Sequence, residues 1–104
     1  MKKTLRSQLV LAAAVALAGA MCFAQDGAAI YKSRCAMCHG ATGTPNPTMA
    51  KLMGIKPASD ASMKALSVAQ IEATIKGGKG KMKALAGMND AQVKSVAAYF
   101  KSLK

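Results

Sequence analysis

The run Cys35-Ala36-Met37-Cys38-His39 constrains this chain more than any other stretch. Two thiols three positions apart, followed at once by an imidazole, have the C-x-x-C-H spacing of a covalent haem attachment site. The two sulfurs can reach the two vinyl groups of one porphyrin, and the next residue can place its ring on the iron. One pentapeptide therefore anchors and ligates. His39 is the only histidine in the sequence, so no other imidazole competes for the metal or serves as a general base elsewhere. A redox-active dithiol or a structural disulfide would use the same cysteines, since a helical C-x-x-C pair in an exported protein can form either. A closed zinc site would need four N or S ligands, and beyond this stretch only Cys22 is left.

The 104 residues allow one small domain, and the first of them read as a targeting segment. Lys2, Lys3 and Arg6 make a basic start, residues 9–20 are apolar, and Cys22-Phe23-Ala24 has small residues at cleavage spacing. Residues 1–24 are thus expected to be a signal peptide cut after Ala24, leaving a periplasmic domain of residues 25–104. An uncleaved anchor is the rival, but the run from Leu9 to Ala24 falls short of the ~20 residues that cross a bilayer. Lipidation of Cys22 is disfavoured by the bulky Met21 before it. Once the segment is removed, Cys35 and Cys38 lie in an oxidising compartment, where thioether bonds to haem would consume them. An Ala-rich chain of this size without Trp must build its core from few large side chains. A buried haem would complete that core, so the haem-free polypeptide is expected to be largely unfolded.

Helical signals recur along the chain, and no segment alternates with period two for long enough to suggest a sheet. Asp26 can cap a first helix running into Cys35, with Gly27 marking a close helix crossing. Gly40, Gly43, Pro45 and Pro47 open a loop in which a carbonyl near Pro45 to Pro47 could accept the free N–H of His39. Residues 48–54 can form a short helix with Met49, Leu52 and Met53 on a face covering the haem, and the stretch from Pro57 to Lys64 reads as irregular. Ser67 with Gln70 makes a capping box, and Leu66 with Ile71 makes a hydrophobic staple. That helix should end near Lys76, with Gly77 and Gly78 supplying a left-handed terminator. Asn89 with Gln92 and Met88 with Val93 repeat the device before Val93, Val96, Ala97 and Phe100 recur at helical spacing.

A six-coordinate iron needs a ligand on the face opposite His39, and Met82 is the best placed. It closes the glycine-rich loop Gly77-Gly78-Lys79-Gly80-Lys81-Met82, 43 residues after His39. Met53 and Met63 stand next, while Met88 is occupied in its staple and Met37 is locked inside the attachment motif. A soft sulfur opposite a histidine favours Fe(II) and raises the potential. With both axial positions filled by protein no site is open to substrate, which leaves electron transfer rather than enzymology. A labile or absent Met82 would instead give a gas-binding or peroxidatic haem protein, and a fixed haem subunit of a respiratory complex would share the carrier's chemistry.

Over residues 26–104 the chain resembles the small bacterial class I c-type cytochromes. The resemblance rests on Gly27 and Tyr31 ahead of Cys35-x-x-Cys38-His39-Gly40, on the glycine loop ending in Met82, and on Asn89-Asp90-Ala91-Gln92-Val93 leading to Tyr99. It implies an all-α, cytochrome c-like bundle of about four short helices around one covalent haem c. It also implies Gly27 and Tyr31 packed on Val96 and Tyr99, and a one-electron carrier. That family usually has proline after its ligand methionine. Here Lys83 follows Met82, which leaves the loop less rigid.

Without residues 1–24, twelve Lys and Arg face four acids, Asp26, Asp60, Glu72 and Asp90, for a net charge of +8. Export and the lack of an aromatic stacking platform argue against nucleic acid. Lys79, Lys81 and Lys83 flank Met82 and are expected to form a docking patch that steers an acidic redox protein or a membrane respiratory complex to a monomer.

Overall fold

The computed structural model describes residues 26–104, so the expected signal peptide, its cut after Ala24 and Cys22 lie outside the described residues. Helix α1 is helical over residues 26–34 and α2 over Ala36–His39; α3 spans Pro47–Met53, α4 Ala61–Lys64, α5 Val68–Gly77 and α6 Asp90–Ser102. Among the described residues there is no strand, only one isolated antiparallel bridge between Lys79 and Met82. The fold is all-helical, as the periodicity requires. No described helix is long and apolar enough to cross a membrane.

Both long C-terminal helices begin as their sequences dictate. Ser67 and Gln70 form the reciprocal capping box of α5, and Asn89 and Gln92 form that of α6, so each start has orphan amides satisfied. Along α5 the buried residues are Ile71 and Ile75, and along α6 they are Val93, Val96 and Ala97. These two stripes pack on each other, and Tyr31 of α1 completes the buried cluster. Tyr31 is the only aromatic in that cluster, so the core is as thin in large side chains as the composition suggested. Around it Leu66, Met88, Tyr99 and Phe100 are partly buried.

The crossing of α1 over α6 depends on Gly27. A Cβ there would lie 2.5 Å from the Ser95 carbonyl oxygen and 2.9 Å from its carbon, so only glycine permits the approach. The Tyr31 ring meets that of Tyr99 at 5.3 Å between centroids, tilted by 53°.

Four local expectations are corrected. Asp26 is already helical rather than standing ahead of α1 as its cap. Within 57–64, expected to be irregular, Asp60 caps the single turn α4 by accepting from the Ser62 amide. Helix α5 runs through Gly77 and stops only at Gly78, whose φ of 77° and ψ of 170° are open to glycine but are not left-handed helix. Helix α3 starts at Pro47, with the Asn46 side chain accepting from the Met49 amide and left-handed Gly54 at its end.

Candidate haem site

Helix α1 delivers Cys35 to its end, where the Cys35 amide donates to the Tyr31 carbonyl at 2.9 Å and the chain turns into α2. The His39 amide donates back to Cys35 O at 2.9 Å, so the motif is one continuous, internally bonded bend. Gly40, at φ 81°, turns the chain away, and its carbonyl accepts the Tyr31 hydroxyl at 2.6 Å. Tyr31 thereby fixes the backbone just after His39 to the helix that carries Cys35.

His39, Cys35 and Tyr31 open onto a shallow apolar cleft whose empty space, counted out into open solvent, is about 490 Å³. Its walls are Leu66, Ile71, Thr74 and Ile75 from the α5 side, Val96 and Phe100 from α6, and the thioethers of Met63 and Met82. Phe100 meets the His39 ring edge-on at 5.6 Å between centroids. Burial lowers the His39 pKa, which holds the imidazole neutral, the form that ligates a metal. Burial also pushes the Cys35 thiol up, with Cys38 adding to the effect and Arg34 opposing it. That direction is the reverse of an activated redox dithiol. Both cysteines are free thiols.

His39 Nδ1 is buried without a hydrogen-bond partner among the described residues, so the carbonyl expected around Pro45 to Pro47 does not accept from it. The expected cover from α3 is also absent: Met49, Leu52 and Met53 line no part of the cleft, and Leu52 is 60% exposed. Of the three methionines offered as ligands, Met63 and Met82 line the cleft and Met53 does not.

The segment bearing Met82 is a tight hairpin rather than a shapeless loop. Lys79 N–H donates to Met82 O at 3.0 Å and Met82 N–H to Lys79 O at 2.9 Å, with Gly80 at φ 57° in the first central position. A glycine followed by any residue between two paired ends is the sequence mark of a type II′ turn, and Gly80-Lys81 carries it. Thr74 and Phe100 are further lining residues that had no assigned role. Thr74 shares the face of Ile71 and Ile75 at helical spacing, which was the available clue.

Of the charged candidates, Lys79, Lys81 and Lys83 are all exposed, but Lys81 Nζ donates to the Leu52 carbonyl at 2.6 Å. Its ammonium is held by the fold, whereas the ammoniums of Lys79 and Lys83 have no hydrogen bond or ion pair among the described residues.

The Cys35 thiol, the neutral His39 imidazole and two methionines line an otherwise apolar cleft, with Cys38 in the same motif but outside that lining, and this donor set fits a haem. The family described as cytochrome C oxidase, cbb3-type, subunit III matches residues 23–100. No curated protein and no solved structure matches the chain. The match takes in the attachment motif, the hairpin and nearly all of α6, and the chain belongs to this family as a small c-type cytochrome domain.

Proposed function

We propose that the protein is an exported, periplasmic one-electron carrier with one haem c, thioether-linked to Cys35 and Cys38 and held axially by His39 and Met82. Bound there, haem c would supply an iron that takes up or gives away one electron. The observation that carries the reading is that Cys35, His39 and Met82 line one apolar cleft. Met82 is preferred to Met63 because its backbone is fixed on both sides by the 79–82 hairpin, while Met63 sits in the one-turn helix α4. The cleft walls are apolar, and the neutral His39 ring needs no proton change to ligate. With both axial positions taken, the chain moves charge and transforms no small-molecule substrate.

Lys79 and Lys83 beside Met82 present positive charge to an acidic partner, here a monomer docking on another redox protein. The name of the matching family, an oxidase subunit, favours a membrane respiratory complex as that partner.

Visible spectra of the ferric and ferrous protein test the proposal. The ferric form should show the weak far-red band of thioether-bound iron, lost in Met82→Ala and kept in Met63→Leu, and carbon monoxide should leave the ferrous spectrum unchanged. An immediate carbon monoxide complex would instead indicate an open, gas-binding or peroxidatic site.

A further inference from the structure

The residue after Met82 is Lys83, so no proline ring fixes the backbone there. The hairpin is instead fastened at three points. On its far side the Leu85 amide donates to Ile75 O at 2.9 Å, and Arg34 donates to Ala86 O at 2.8 Å, tying the following strand of chain to α5 and α1. At its base Gly78 lets the backbone of Met82 and Ala84 fold back closely: a Cβ at residue 78 would lie 2.7 Å from Met82 O and 2.9 Å from Ala84 N. The third fastening is at the tip, where Lys81 Nζ reaches the Leu52 carbonyl at 2.6 Å. Leu52 is in the last turn of α3, whose final carbonyls have no amide within the helix to accept from. An ammonium there meets both an unpaired acceptor and the negative end of the helix dipole.

We propose that Lys81 is a positioning residue: by capping the C-terminal end of α3 it clamps the tip of the 79–82 hairpin and keeps the Met82 side chain closed on the cleft. The inference rests on the reading of Met82 as the axial ligand, and it separates Lys81 from its neighbours. Lys79 and Lys83 carry the same charge within two residues, yet their side chains hold nothing among the described residues. Loss of Lys81 would free the hairpin tip to swing away from α3 and let Met82 leave the cleft more often, whereas loss of Lys79 or Lys83 would change only the surface charge.

The test uses the ferric holoprotein, imidazole as a competing ligand, and amide exchange at Met82. Lys81→Ala should raise the apparent affinity for imidazole about fivefold and speed exchange of the Met82 amide by a similar factor, as expected for losing one charged, exposed hydrogen bond. Lys81→Arg, which keeps a long cationic donor, should restore both. Lys79→Ala and Lys83→Ala should leave both at the level of the unaltered protein. Lys81→Ala indistinguishable from Lys79→Ala in both readouts overturns the clamp, as does a lowered melting temperature with neither readout moved. If Met82→Ala leaves imidazole affinity unchanged, Met82 is not the ligand. The exchange arm then decides alone: faster exchange in Lys81→Ala upholds the clamp, and unchanged exchange overturns it.

Discussion

Tyr31 joins the core to the attachment motif. It is 1% exposed, stacks obliquely on Tyr99, and donates its hydroxyl to Gly40 O, the first carbonyl after His39. Burial, and then the negative charge of the neighbouring Cys35 when it is a thiolate, push its pKa up to about 12 from 10.0. The folded protein thus holds the phenolic proton more tightly than the unfolded chain does. Stability from this group is whole below about pH 10 and is lost as the pH rises towards about 12. Denaturant unfolding of the holoprotein, in which a Cys35 thioether carries no charge and burial still raises the group, should show that decline. Tyr31→Phe should remove it while costing about 0.5–1.5 kcal/mol at neutral pH for the lost hydroxyl bond, since the Gly40 carbonyl keeps the Gly43 amide at 3.2 Å. The place of Tyr31 against Val96 and Tyr99 was implied by the resemblance to the small c-type cytochromes. Its bond to Gly40 was not, because a backbone acceptor leaves no mark in a sequence. His39 was legible by adjacency to Cys38. Met82 was offered as the first of three thioethers, and of these Met63 and Met82 line the cleft.

At the scale of elements, the helix starts were the clearest features. Ser67 with Gln70 and Asn89 with Gln92 are short-range pairs whose chemistry acts within one turn, so both boxes form as their spacing requires. Helix α4 escaped notice because one turn has no apolar period to display, and the 79–82 hairpin because glycines there argued only against helix. Fastenings such as Lys81 to Leu52, or Lys101 to the carbonyls of Lys64 and Leu66, join residues 29 to 37 positions apart and follow no pattern along the chain. Glycine roles divide in a way that can be measured. Gly27→Ala would drive a methyl into the Ser95 backbone and force α1 from α6, at a cost of about 1–3 kcal/mol in denaturant unfolding. Gly77→Ala, in a helical position with nothing within 4 Å of the new Cβ, should stabilise by about 0.5–1 kcal/mol. Equal effects from the two would mean that α1 and α6 do not cross at Gly27.

For the whole molecule, the α1, α5 and α6 core leaves an apolar cleft where a larger protein would have more side chains, and the attachment motif opens into it. Charge is carried outside. No buried charged residue is present among the described residues, and the single ion pair among them, Lys76 with Asp90, is exposed. Lys101 and Lys81 are engaged with carbonyls, so a fair test of docking uses the unengaged lysines: Lys79 and Lys83 beside Met82 against Lys94 and Lys104 away from it. Changing each pair to Gln removes equal charge. The first pair should slow association with an acidic redox partner more than the second, and the difference should fade as salt shortens the screening length below about 8 Å. Equal losses would reduce the patch to net charge. All of these expectations depend on the pentapeptide at residues 35–39, and the intact mass of the exported protein, taken after acidified organic extraction, tests it most directly. A single species carrying the mass of one haem on the polypeptide is expected, absent when Cys35 and Cys38 are both changed to Ala. A polypeptide free of haem, or one lighter by the two hydrogens of a Cys35–Cys38 disulfide, would contradict it.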